Sequence, residues 1–133
     1  MPAVSALIWL SYASLLFLGL IDNIRGPFFL EILTEMQVNA TVGSLFFATV
    51  SFSAFVGSLT LPQVIGHRTS IFTLALSCAV LSLGVWFVAL APSILWLLLA
   101  CILFGWGFGV LNIAQNALVI EAAPAYRRRQ LLS

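Results

Sequence analysis

Asp22, Asn23 and Arg25 bring a carboxylate, an amide and a guanidinium into four residues of the otherwise apolar stretch Leu20 to Pro27. Such a set can hydrogen-bond a polar solute, hold a coupling ion or pair its own charges. Asp22 and Arg25 stand three positions apart, a spacing that on a helix puts both on one face within reach of each other. A charge at membrane depth costs about 2.5–3.5 kcal/mol even on lenient insertion scales, so such residues normally face a bundle interior or a wet cavity. Asp22 and its neighbours are therefore the first candidates for a functional site.

A second set is uncharged. Cys101, Gly105, Gly109, Asn112 and Asn116 recur at intervals of four, four, three and four, which keeps them on one face of a helix. Gln115 and Val119 border that stripe. Small residues that admit a neighbouring helix, Gly105 and Gly109, give way along one side to an amide patch of Asn112, Gln115 and Asn116. Amides offer both donors and acceptors, the chemistry needed to hold a polar solute without charge.

Other residues invite chemistry less. No nucleophile–base pair or metal-ligand cluster is present in the sequence, so enzymatic activity, a metal and a cofactor are all unexpected. Cys78 and Cys101 read as small apolar helix residues, and His67 as a solvated loop residue. The run Gly105-Trp106-Gly107-Phe108-Gly109 superficially resembles a dinucleotide-binding loop, but no strand precedes it and the third glycine is missing, so helix packing is the expectation. Asn39-Ala40-Thr41 matches a glycosylation triplet in a turn too short to serve as an acceptor.

The elements that must position these residues follow from composition. The chain is 62% hydrophobic and only 7% charged, whereas about a quarter of a soluble protein's residues carry charge. Such a chain cannot wet its own surface. No charge occurs in residues 1–21, 36–66 or 69–120, and since about 20 residues of helix cross the hydrocarbon, these gaps hold one, one and two spans. The last gap is divided by the helix breaker Ala91-Pro92-Ser93, with Pro92 in a position that suits a helix start.

An all-α membrane protein with four transmembrane helices is thus expected, the whole of residues 1–133 forming one region, with spans at about 3–34, 42–63, 70–90 and 93–121. The first span continues beyond its charges, kinked rather than ended by Pro27. Asn39 or Thr41 caps the second, whose small residues, including Gly43, Ala54 and Gly57, predict close packing on protein. The third, almost without polar atoms, reads as peripheral. The fourth ends at Ala122-Ala123-Pro124. Without a basic leader, and with so long a first apolar segment, no cleavable signal peptide is expected.

Arg68, after the second span, and Arg127 to Arg129, after the fourth, lie on one side of such a chain, which predicts a multi-pass protein of the plasma (inner) membrane with both termini cytoplasmic. The near-zero net charge offers nothing to nucleic acid. The lipid bilayer is the expected partner.

These residues also carry a family likeness. Asp22, Asn23, Gly26 and Pro27 at the end of the first span, Gly66-His67-Arg68 between the second and third, the fourth-span text Gly105 to Asn112 with Gln115-Asn116, and the exit at Pro124 with Arg127 to Arg129 resemble the N-terminal part of a major facilitator superfamily (MFS) transporter. The second loop departs from the family pattern: Leu61 matches its leucine, while Leu59, Gln63 and Val64 stand where Gly, Asp and Arg are usual. The arginine that many proton-coupled members carry in the fourth span is missing.

What the resemblance implies is a partial MFS N-terminal bundle: an N-terminal fragment of a secondary transporter that moves a small polar solute, with a coupling ion as a further partner, by alternating access. In such transporters the first and fourth spans line the path, which would make Asp22, Asn23, Arg25, Asn112, Gln115 and Asn116 its wall here and Gly66, His67 and Arg68 its loop gate. The remaining transporter helices, or a second copy, would supply the other wall. The alternative is a free-standing four-helix membrane protein acting as an assembly or interaction subunit, its polar faces and GxxxG pair buried against a partner.

Overall fold

In the computed structural model, which describes residues 2–65 and 70–130, the chain forms four helices: α1 (Pro2–Glu35), α2 (Ala40–Ile65), α3 (Ser70–Ala89) and α4 (Ile94–Gln130). All four are long and apolar enough to cross a membrane, so the chain is a multi-pass, all-α membrane protein. Gly66, His67 and Arg68 lie outside the described residues.

Local chemistry sets the ends. α1 closes in a double hydrogen bond from Gln37 N–H to the Thr34 carbonyl (3.1 Å) and from Val38 N–H to the Leu33 carbonyl (3.0 Å). Gln37 takes the left-handed conformation there, φ 52°, in a position glycine usually fills. Asn39 then caps α2, its Oδ1 accepting from Val42 N–H at 3.0 Å. Before α4 the cap is Ser93, whose carbonyl accepts from Leu97 N–H at 2.9 Å, so Pro92 precedes the cap rather than opening the helix.

No internal proline ends its helix: α2 runs through Pro62 to Ile65, two residues beyond the expected end at 63. α1 runs unbroken through Pro27, and α4 continues through Pro124 to Gln130, nine residues beyond the expected end at 121. The residues around Pro124, Ala122, Ala123, Ala125 and the three arginines, are strong helix formers, and one lost hydrogen bond does not outweigh them.

The other helices are arranged around α4, whose most apolar stretch is 50% buried within the chain against 17% for α1. It meets α2 and α3 along most of its length and α1 less closely. Backbone approach explains the first two contacts. A Cβ on Gly109 would land on the Ala54 carbonyl oxygen and one on Gly105 on that of Val50, while a Cβ on Gly57 would meet the Trp106 carbonyl oxygen at 2.5 Å. On the other flank Gly84 lies against the Phe104 backbone and Gly107 against Leu81. The three glycines of the Gly105–Gly109 run are thus divided between two neighbours, two facing α2 and one facing α3.

Hydrogen bonds lock the α2–α4 contact. Ser53 Oγ donates to the Ile102 carbonyl at 2.6 Å, and Trp106 Nε1 donates to Thr60 Oγ1 at 3.0 Å. Among the packing expectations, the small side of α2 does lie on protein, whereas α3, expected to be peripheral, is more buried within the chain than α1 or α2 because one whole side of it packs on α4.

Candidate functional site

Among the described residues, Arg25 is the best-held charge. Its guanidinium lies 3.4 Å from Asp22 Oδ1, with its side chain 23% exposed, and 5.8 Å and 5.9 Å from the ring centres of Phe47 on α2 and Phe108 on α4. A guanidinium over ring faces is attracted by their quadrupoles, by about 0.5–2 kcal/mol. Arg25 therefore ties three helices together. Asp22 has fewer constraints: its side chain is 51% exposed.

Beside this pair the backbone offers a further acceptor. Pro27 has no N–H, so the carbonyl of Asn23, four residues earlier, loses its helical donor. Asn23 itself donates from Nδ2 to the Gly19 carbonyl at 2.7 Å. On α4, Asn116 Nδ2 likewise donates to the Asn112 carbonyl at 2.8 Å. Asn23, Asn112 and Asn116 are all exposed, the side-chain nitrogens of Asn23 and Asn116 turned onto their own helices.

Helical register shows which way these groups look. Asp22 lies seven and eleven residues before Phe29 and Leu33, spacings that return to the same face. Phe29 packs on the rings of Phe46 and Phe47, and the Leu33 side chain lies against Gly43, so this is the face α1 turns toward α2. Asn112 lies seven residues after Gly105, and Asn116 seven after Gly109, which puts both on the face α4 turns toward α2. They are nevertheless exposed because α2 leaves: it crosses Gly105 at Val50 and Ser53 but reaches Trp106, round the side, by Gly57 and Thr60. Asp22, Asn112 and Asn116 are thus all exposed, Asp22 on the face α1 turns toward α2 and the two asparagines on the face α4 turns toward it.

Gln115 is placed differently. It lies seven residues after Phe108, the ring of α4 that Arg25 meets, and so shares the face of α4 that looks toward α1 there. It is 1% exposed, and neither Nε2 nor Oε1 has a hydrogen-bond partner. The sequence puts it beside the stripe of Asn112 and Asn116; the structure buries it while leaving those two exposed. An unsatisfied buried amide costs about 1–3 kcal/mol.

Sequence reasoning also passed over Ser11 and Ser14, both buried, the hydroxyl of Ser14 donating to the Ser11 carbonyl at 2.8 Å. Ser14 and Leu18 precede Arg25 by eleven and seven residues, which marks them as belonging to the face that α1 turns to α4. Counting back eleven from Arg25 would have found Ser14.

Behind the polar angle, on the α3 side of α1, lies an apolar crevice of about 200 Å³ between Ile24, Phe28, Val85, Val88 and Phe104. Both cysteines are free, Cys78 half-buried and Cys101 buried. No protein-family model, curated protein or solved structure matches the chain.

Proposed function

We propose that this chain forms one wall of a membrane transporter of the MFS type, moving a small polar solute by alternating access. The observation that carries this reading is the exposure of Asp22, Asn112 and Asn116 on the flank that α2 abandons. Polar groups left bare at membrane depth need water, solute or protein against them, because lipid is too costly a neighbour. The cleft has a wall on one side only. Further helices of the same protein, or a second copy, are the proposed opposite wall.

With Asp22 and Arg25 neutralising each other, the remaining groups are amides and a carbonyl, which suit an uncharged or zwitterionic solute. The test is uptake into liposomes holding the whole gene product, against a panel of sugars, polyols and neutral amino acids. Saturable entry of one class is expected. Entry of every panel member at the rate of empty liposomes would refute the proposal. The reading as a free-standing assembly subunit draws less support, since Gly105 and Gly109, which a partner helix would need, are already taken by α2.

Both termini are proposed to be cytoplasmic, on the strength of the arginines after the second and fourth spans. Single cysteines near Met36 and Pro92 should then react with an impermeant thiol reagent from outside the cell, and those near His67 and Tyr126 only after permeabilisation. The reverse pattern at two of these positions would invert the topology.

A further inference from the structure

Among the described residues, the buried side-chain nitrogen and oxygen atoms without a partner are both those of Gln115. Its neighbours in the chain explain why that matters. Asn112 and Asn116, three residues before and one after, are exposed, so the buried Gln115 amide lies one step round the helix from amides open to solvent, on the side of α4 that carries Phe108.

That side looks toward α1. Arg25 beside Phe108 sets the antiparallel register of α1 and α4. Seven residues inward on each helix, about 10 Å at the helical rise, bring Gln115 level with Leu18, and Ser14 follows one turn on. The inner half of the seam sets Ser14 and Gln115 among Leu18, Leu111 and Leu118, whereas around Arg25 it is lined by Phe29, Phe104 and Phe108. It is also the slighter of the contacts that α4 makes with its three neighbours. A seam that is thin, and that holds an amide whose hydrogen bonds are unmade only while it is shut, has reason to open.

We propose that the inner halves of α1 and α4 part about the Arg25 clasp, and that Gln115 then joins Asn112 and Asn116 as a contact for the solute. With a carbonyl acceptor and an NH2 donor both free, Gln115 suits a neutral group that carries a donor and an acceptor side by side, a hydroxyl pair or an amide. This rests on the transporter reading above for the solute's role, while the opening of the seam can be measured without any transport.

The experiment is alkylation by N-ethylmaleimide, which reacts with thiols where water reaches them, on the full chain in native membranes with Cys78→Ala and Cys101→Ala as background. Asn116→Cys should react fastest. Gln115→Cys should react more slowly, yet at least about tenfold faster than Leu118→Cys, an equally buried position on α4. Ser14→Cys should also react, and adding Gln115→Leu, which removes the amide and keeps the bulk, should slow it about tenfold. Gln115→Cys reacting no faster than Leu118→Cys, or Ser14→Cys unmoved by Gln115→Leu, would overturn the opening. Reactive Gln115→Cys in a protein that moves no member of the solute panel would keep the moving seam and overturn its part in binding.

Discussion

Gly109→Ala is expected to break the α2–α4 contact, with a loss of more than about 3 kcal/mol. The methyl group would land on the Ala54 carbonyl oxygen, with the Ala54 Cα at 2.9 Å behind it, so backbone and not a flexible side chain stands in the way. Room can be made only by moving the helices apart. That would weaken the Ser53 to Ile102 and Trp106 to Thr60 hydrogen bonds, both of which span the same contact. The control is Gly19→Ala, where nothing lies within 4 Å of the added carbon. There the better helix propensity of alanine should leave stability unchanged or raise it by up to about 1 kcal/mol. Thermal unfolding of the two purified variants in detergent measures the difference. Equal midpoints for Gly109→Ala and the parent protein would mean that the helices do not meet as closely as described.

Asp22→Asn is expected to reduce solute uptake by more than about tenfold while leaving membrane abundance nearly intact. The asymmetry of the pair is the reason. Arg25 keeps the Phe47 and Phe108 rings when Asp22 loses its charge, and Asp22 is half in the open already. Arg25→Gln removes the ring contacts and the ion pair together and should cost stability, by about 1–3 kcal/mol. The double variant Asp22→Asn with Arg25→Gln separates structure from function. If the pair only holds helices together, Asp22→Asn alone should lower abundance by stranding Arg25, and the double should recover both abundance and uptake. If Asp22 contacts solute or a coupling ion, the double inserts and does not transport. Normal uptake by the double variant would remove Asp22 from the solute path.

The number of helices and the turns between them were legible because they depend on local terms. Charge-free gaps near the length of a bilayer crossing, the Asn39 cap and the small side of α2 are all written within a few residues of where they act. So was the pairing of Asp22 with Arg25, a consequence of helical spacing alone. The persistence of α4 beyond 121 was not, because the proline that signals a stop is surrounded by residues that favour helix.

Tertiary structure decided which faces met. Periodicity put Gly105, Gly109, Asn112 and Asn116 on one side of a helix but could not say that α2 would cover the first two and swing away from the others. It placed Gln115 beside the asparagines, and only the position of α1 turned one position round the helix into the difference between an exposed amide and a buried one without a partner. Arg25 had a visible partner in Asp22, whereas its two rings lie 22 and 83 residues further along the chain and meet it only when three helices converge. The physical reason is common to all three: spacing along a helix fixes direction about its own axis, and burial depends on where the other axes cross it.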